Sequence, residues 1–350
     1  MKRPIRVLIV DDSALVRKVL SDGLARDPDI RVVGQAADPY RARDLMVELS
    51  PDVITLDVEM PRMDGVTFLK RFMPVMPIPT VMISSLTQDG KRITMDALEA
   101  GAVDVVAKPV VGLVDGLPPM LDDICRRVKA AAAIDVSRYA RRQPVHAIDP
   151  VVATLGDTTD RVIAIGASTG GVEALGRILP VFPPDSPGIV IVQHMPMGFT
   201  ASFAERLNGL CQMRAKEAQQ GDRVLPGQIL LAPGGAQHMS LARSGGQYRI
   251  LLKEGPEVNY SRPAVDVLFK SVAAEVGRNV AAALLTGMGR DGAEGLMEIR
   301  RAGGRTFAQD EATCAVFGMP QAAMALGAAE RMAPLEMIPA LLVAALRDNG

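Results

Sequence analysis

The chain has 350 residues, 48% hydrophobic and 23% charged, with 39 Lys and Arg against 40 Asp and Glu for a net charge of −1. That length allows two domains with sizeable cores, the charge balance gives no basic surplus for a nucleic-acid partner, and no apolar run approaches the roughly 20 residues that span a bilayer. The Met-Lys-Arg-Pro start leads into a short strand pattern and not a signal-peptide apolar segment, and Cys125, Cys211 and Cys314 lie far apart without CxxC spacing, so each is expected as a buried thiol in a reducing, cytoplasmic compartment.

The first half alternates strand and helix. Ile5 to Val10 is a short apolar run ending in Asp11-Asp12 and reads as a buried strand. Ser13 then caps a helix whose Leu15, Val16, Val19, Leu20 and Leu24 fall at helical spacing. Ile30 to Ala36 reads as a strand, and Asp38 caps a helix carrying Leu45, Met46 and Leu49. Val53 to Leu56 is a strand ending at Asp57, and Asp64-Gly65 opens the next helix. Thr80 to Ile83 is a strand ending at Ser84; a helix through Ile93 and Leu98 follows, then Val103 to Val106 and Lys108-Pro109. Repeated βα units predict a parallel sheet covered by helices on both faces.

In such a sheet, ligands bind beyond the carboxyl ends of the strands. Asp11, Asp12, Asp57, Ser84 and Lys108 all fall there. Clustered carboxylates repel one another unless a hard cation sits among them, and Mg²⁺ suits few carboxylates plus water and phosphate oxygens. One carboxylate can then act as nucleophile toward a phosphoryl donor, with Lys108 pairing the phosphate and Ser84 donating to it. Any one of these acids alone reads equally as a solvated loop residue; the set does not.

These residues resemble the receiver domain of two-component response regulators, a flavodoxin-like fold with a five-stranded parallel sheet, over residues 1–125. The resemblance implies Asp57 as phosphoacceptor, and Mg²⁺ bound by Asp12, Asp57 and the backbone carbonyl of Glu59 with Asp11 nearby. It implies Ser84 and Lys108 as phosphate sensors. Many receivers carry an aromatic switch residue three places before the lysine; here that position is Val105. Residues 126–158 read as a linker: periodicity fades, charge, proline and threonine mix, and His146 is expected to be exposed there. A flexible linker lets one domain dock on another and move away.

A new α/β pattern fills residues 159–350. Val162 to Ile165 is a strand, Gly166 to Gly171 a glycine-rich turn, and a helix follows through Val172, Leu175, Ile178 and Leu179. Ile189 to Val192 is a strand ending at Gln193-His194; Ile229 to Leu231 and Ile250 to Leu252 are further strands. Val265, Leu268, Phe269, Val272 and Val276 share one helix face. Val280 to Leu285 is a strand ending in Thr286-Gly287-Met288-Gly289, and Asp291 opens the next helix.

Gly166-Ala167-Ser168-Thr169-Gly170 matches G-x-S-x-G, a tight turn that displays a serine beside the N–H groups of a helix N-terminus. A phosphate-binding loop is the alternative, but the Gly-Lys of a Walker A loop and the G-x-G of a dinucleotide turn are absent. His194, at a strand end like Ser168, is the stronger candidate base; His238 lies several residues beyond its strand and reads as structural or near substrate. Asp291 reaches the same edge and either orients His194 or caps its own helix. The order Ser, His, Asp differs from the Ser, Asp, His of α/β-hydrolases, so a doubly wound sheet of other topology is expected.

GASTGG, QHMP and TGMGRDG, in receiver–linker–esterase order, resemble the chemotaxis protein-glutamate methylesterase (CheB) family. The resemblance implies Ser168 as nucleophile, His194 as base, Asp291 as orienter, and the Thr169 and Met288 N–H groups as oxyanion donors, with no cofactor for ester hydrolysis. It implies methyl-esterified glutamates of membrane chemoreceptors as substrate, deamidation of receptor glutamines, a chemotaxis histidine kinase as phosphodonor, and an unphosphorylated receiver that covers the esterase site. Neither nucleic-acid binding nor direct membrane insertion is expected. Two other readings use the same residues: a serine esterase of a different ester, or a receiver with a non-catalytic output, although no basic recognition helix follows the linker.

Overall fold

The structure, a computed structural model, describes residues 3–85, 88–108, 117–134, 136 and 160–347. The chain forms two compact units, Met1–Pro144 and Val145–Gly350.

In the first unit, β1 (Ile5–Val10), α1 (Ala14–Leu24), β2 (Ile30–Ala36), α2 (Pro39–Leu49), β3 (Val53–Asp57), α3 (Gly65–Phe72), β4 (Thr80–Ser84), α4 (Gln88–Glu99), β5 (Asp104–Ala107) and α5 (Leu117–Ala132) alternate. The strands form one parallel sheet in the order β2-β1-β3-β4-β5. Central strands with helices on both faces have no wet side, which is why β3 and β4 are buried at every residue. The helix starts follow local chemistry: Val16 N–H donates to Ser13 Oγ at 3.4 Å, Tyr40 and Arg41 N–H to Asp38, and Thr67 N–H to Asp64 at 2.7 Å. Val105 is buried within β5. The last helix runs to Ala132, so residues 126–132 are helical; His146 and most of the expected linker lie outside the described residues.

The second unit runs β6 (Val162–Ala167), α6 (Gly171–Ile178), β7 (Gly188–Gln193), α7 (Phe199–Leu210), β8 (Arg214–Glu217), β9 (Gln228–Leu231), β10 (Gln237–Ser244), β11 (Gln247–Glu254), α8 (Val265–Val276), β12 (Val280–Leu284), α9 (Ala293–Arg301), β13 (Arg305–Gln309), α10 (Met319–Leu326), β14 (Arg331–Ala333) and α11 (Ile338–Arg347). Seven strands make a parallel sheet in the order β14-β13-β12-β6-β7-β9-β8. The strand expected over Ile250 to Leu252 belongs instead to a separate antiparallel hairpin of β10 and β11. The predicted face of α8, with Val265, Leu268, Phe269, Val272 and Val276, is buried. Here β6 lies between β7 and β12, and the chain's path reverses across it. Loops leaving these three neighbours therefore share one crevice at the carboxyl edge.

Of the three thiols, Cys125 and Cys314 are buried as expected, but Cys211, at the end of α7, is only half-buried. All three are free. Among the described residues no helix is long and apolar enough to cross a membrane.

Candidate functional site

In the first unit, Asp11 follows β1, Asp57 ends β3, Ser84 ends β4 and Lys108 follows β5. Lys108 Nζ lies 2.6 Å from Asp57 Oδ2 and 3.3 Å from Asp11 Oδ2. Asp57 is fully buried; burial pushes its carboxyl up to about 6, against the opposing pull of the Lys108 ammonium. Burial likewise raises Asp11, with Lys108 again opposing. Asp11, Asp12 and Asp57 each offer an oxygen within 4.8 Å of the others. Asp11 Oδ2, for all its closeness to Lys108, has no aligned hydrogen bond. Three converging carboxylates, one with an unsatisfied buried oxygen, suit a hard oxygen-seeking dication such as Mg²⁺. Glu59 lies at the rim: its N–H donates to Asp57 Oδ1 at 3.2 Å and its carboxylate accepts from Ser85 Oγ. The Ser84 hydroxyl is buried and accepts from Thr94 Oγ1 of α4 at 2.7 Å.

In the second unit, Ser168 follows β6, His194 follows β7, and Asp291 lies beyond β12. All three are buried. Ser168 sits in a rigid turn: its N–H donates to Thr286 O at 3.0 Å, and its carbonyl accepts from Gly171 N–H at 2.7 Å and Gln193 Nε2 at 2.9 Å. Gly170 ends the turn at φ +78, where a Cβ would be strained and would lie 2.5 Å from Ala315 Cβ. His194 presents Nε2 to Asp291 Oδ2 at 2.8 Å and Nδ1 to Ser261 Oγ at 3.3 Å; Ser168 is not among the ring's hydrogen-bond partners.

Asp291 does not cap the helix it precedes; Gly292 holds that position. Its carboxylate caps α8 from outside, accepting from Val265 N–H at 2.7 Å and Asp266 N–H at 3.1 Å. Ala264, the residue before α8, has no side chain able to do so. Burial alone would raise the Asp291 carboxyl, but the His194 hydrogen bond and charge, with the two backbone donors, hold it below the usual carboxylate range. His238 is structural: Nε2 bonds Pro256 O at 2.8 Å and Nδ1 accepts from Ala264 N–H at 3.1 Å.

Thr169 follows Ser168 directly, and Met288 follows Gly287 in the turn beyond β12. Thr169 is buried and Met288 partly exposed. Their two turns are tied together: Thr286 Oγ1 donates to Thr169 O at 3.0 Å, and Thr286 N–H donates to Gln309 Oε1 at 2.8 Å. A Cβ on Gly287 would come 2.7 Å from Ser168 Cβ, so the second turn passes the serine only as glycine. Sequence reading missed Gln193, Thr286, Asn259, Ser261 and Asp266, all partners of these residues, and Gln309, which holds Thr286. For Gln193 and Thr286, direct adjacency to His194 and to the Gly287-Met288 turn was an available signal; for the others only the fold brings them in.

These features define a class of protein: a response regulator whose receiver unit precedes a hydrolase unit built on a seven-stranded parallel sheet. The receiver family model matches residues 7–112, and the CheB methylesterase family model matches residues 163–342. A protein-glutamate methylesterase/protein-glutamine glutaminase of Syntrophotalea carbinolica is 54% identical over 100% of this chain and 99% of its own. A second, from Pseudomonas aeruginosa, is 52% identical over 99% of each. The crystal structure of the Thermotoga maritima CheB methylesterase catalytic domain, 39% identical, matches with a TM-score of 0.51 over 53% of this chain and 97% of that one. The chain belongs to the CheB methylesterase family and is an enzyme of that class, a hydrolase with a receiver domain.

Proposed function

We propose that the chain hydrolyses methyl esters of glutamate side chains on methyl-accepting chemoreceptors, and deamidates receptor glutamines, through a Ser168–His194–Asp291 acyl-enzyme mechanism activated by phosphorylation of Asp57. The observation that carries this reading is the buried His194–Asp291 pair, 2.8 Å apart, on the segments that leave the two strands flanking β6, the strand that Ser168 follows.

Asp291 accepts a hydrogen bond from the Nε2–H of His194, which leaves Nδ1 as the basic nitrogen. The Ser168 hydroxyl gives its proton to Nδ1 as Oγ bonds to the substrate's γ-carbonyl carbon. Until substrate arrives the Ser261 hydroxyl occupies Nδ1; catalytic hydrogen bonds commonly tighten only in the bound complex. The oxyanion accepts from the Thr169 and Met288 N–H groups. Collapse breaks the ester C–O bond, and the leaving oxygen takes the proton from His194 and departs as methanol; from a glutamine, ammonia departs. Water then gives a proton to Nδ1 and attacks the γ-glutamyl ester, freeing glutamate and restoring Ser168. No cofactor enters this cycle.

In the receiver, Asp12, Asp57 and the backbone carbonyl of Glu59, with Asp11 beside them, would hold Mg²⁺, whose charge would screen a transferring phosphoryl group. Asp57 takes the phosphoryl group from a chemotaxis histidine kinase; Lys108 pairs with it and Ser84 donates to it. The receiver, linker and catalytic parts are assigned to 1–125, 126–158 and 159–350, with the receiver's last helix running on to Ala132. Free thiols fit work in the cytoplasm, and the balanced charge fits a protein substrate better than nucleic acid. The test is methanol release from methylated receptor membranes with and without acetyl phosphate and Mg²⁺. Release that rises with the phosphodonor is expected; none in either arm overturns the proposal.

A further inference from the structure

We infer that Asn259 is a positioning residue that holds the His194–Asp291 pair in its working geometry, carried by a strained turn of residues 258–261. This rests on the reading of that pair as part of the catalytic triad.

Val258 and Ser261 pair as an antiparallel bridge, with Val258 N–H donating to Ser261 O at 3.1 Å and Ser261 N–H to Val258 O at 3.0 Å. The two residues between them are both left-handed, Asn259 at φ 52 and Tyr260 at φ 62. Such a two-residue turn normally places Asn then Gly at these positions. Asn259 suits the first; Tyr260 at the second carries strain that glycine would not. Strain kept in place by its surroundings points to a use for the side chains it delivers.

The turn delivers two. Asn259 Nδ2 lies 2.8 Å from Asp266 Oδ2 and 3.2 Å from Asp291 Oδ1. Ser261 Oγ lies 3.3 Å from His194 Nδ1. The Asn259 amide therefore stands between two buried carboxylates that would otherwise repel, and donates to both. The remaining Asp266 oxygen is fixed by Gly295 N–H at 2.7 Å, so Asp266 is a firm anchor for that amide. On Asp291, Oδ2 receives His194 and Val265, while Oδ1 receives Asp266 N–H and Asn259. Asn259 supplies the only side-chain donor on Oδ1 among the described residues, and so resists rotation of the carboxylate away from the imidazole.

A plain turn role and a positioning role predict opposite results. Asn259→Gly keeps the left-handed backbone and suits the turn, so a structural role predicts wild-type behaviour or better. The positioning role predicts a kcat about tenfold lower, from loss of one hydrogen bond to a charged group, with KM near wild type. Asn259→Asp also tolerates the left-handed backbone but faces two carboxylates with a third, and should lose more than Asn259→Gly. The second readout is long-range ¹H–¹⁵N NMR of the full chain labelled at histidine, which has only three histidines. In the wild type the His194 signals should show the proton on Nε2, with a low-field resonance from the bond to Asp291. In both variants that resonance should broaden or vanish and the tautomers should mix. Wild-type His194 signals and wild-type kcat in a folded Asn259→Gly protein would overturn the inference; if that variant does not fold, the same result in Asn259→Asp would do so. Loss of the resonance in the variants of a chain whose wild type releases no methanol would keep the positioning role and reject the esterase reading.

Discussion

Asp291→Asn separates the structural from the catalytic duty of this carboxylate. The aspartate accepts from four donors: His194 Nε2, Val265 N–H, Asp266 N–H and Asn259 Nδ2. An asparagine has one acceptor oxygen and turns the other position into a donor. If its oxygen replaces Oδ2, the new NH₂ confronts both Asp266 N–H and Asn259 Nδ2, leaving two clashing donors. If its oxygen replaces Oδ1, the NH₂ confronts Val265 N–H and His194, but the imidazole can adapt by moving its proton to Nδ1 and accepting at Nε2. The second arrangement leaves one unsatisfied donor, the Val265 N–H, instead of two, so it wins. The stability cost is then about 1–3 kcal/mol, the penalty for one buried unpaired group. The catalytic cost is larger, because the proton now sits on the nitrogen that must act as base; for a triad in the wrong tautomer the loss is on the order of 10⁴-fold in kcat. Urea unfolding of the second unit reads the first quantity and methanol release from methylated receptor membranes reads the second. A variant with turnover within about tenfold of wild type, a difference of only about 1.4 kcal/mol in barrier, would refute the assignment of Nδ1 as the basic nitrogen.

Asp57→Asn should abolish labelling by acetyl phosphate and Mg²⁺ while leaving basal ester hydrolysis intact, checked by stoichiometry on the purified chain; wild-type labelling would place the phosphoacceptor elsewhere. Gly287→Ala forces a Cβ to 2.7 Å from Ser168 Cβ; displacing the nucleophile by about 1 Å should lower kcat by about 10²-fold, read by methanol release, whereas a wild-type rate would mean the turn can yield without moving Ser168. If the unphosphorylated receiver covers the esterase site, as the family resemblance implies, removing residues 1 to about 150 should raise activity above that of the unphosphorylated full chain and abolish its response to phosphodonor, since a tenfold change in open population needs only about 1.4 kcal/mol; a folded fragment with lower activity would show that the receiver assists the site.

What sequence reading could see follows from where the information lies. The strands β3, β6, β7 and β12 are buried at every residue and β1 at its last four, so they read as largely apolar runs, and the reactive residues stand at or beyond their ends. Ser13, Asp38 and Asp64 marked helix starts because capping is local. Edge strand β8, Arg-Ala-Lys-Glu, has no such run and shows Arg214 to solvent. The three-residue β14 is too short to carry a pattern. Ile250 to Leu252 gave a correct strand, but its partner β10 could not be read from the run itself. The position of Asp291 in the sequence fits two duties, orienting His194 or capping its own helix; it bonds His194 and caps a different helix, one that begins 26 residues earlier in sequence. Asn259, Asp266 and Gln309 escaped because their importance depends on contacts made only when segments distant in sequence meet.

Ser168 is the residue on which the proposed mechanism turns. Methanol release from methylated receptor membranes, in the presence of acetyl phosphate and Mg²⁺, should be measured for Ser168→Ala beside the wild-type chain. Loss of a triad nucleophile costs on the order of 10⁶-fold in kcat, so the account predicts no release above the membrane background from a folded, phosphorylatable Ser168→Ala protein; release at the wild-type rate would contradict it.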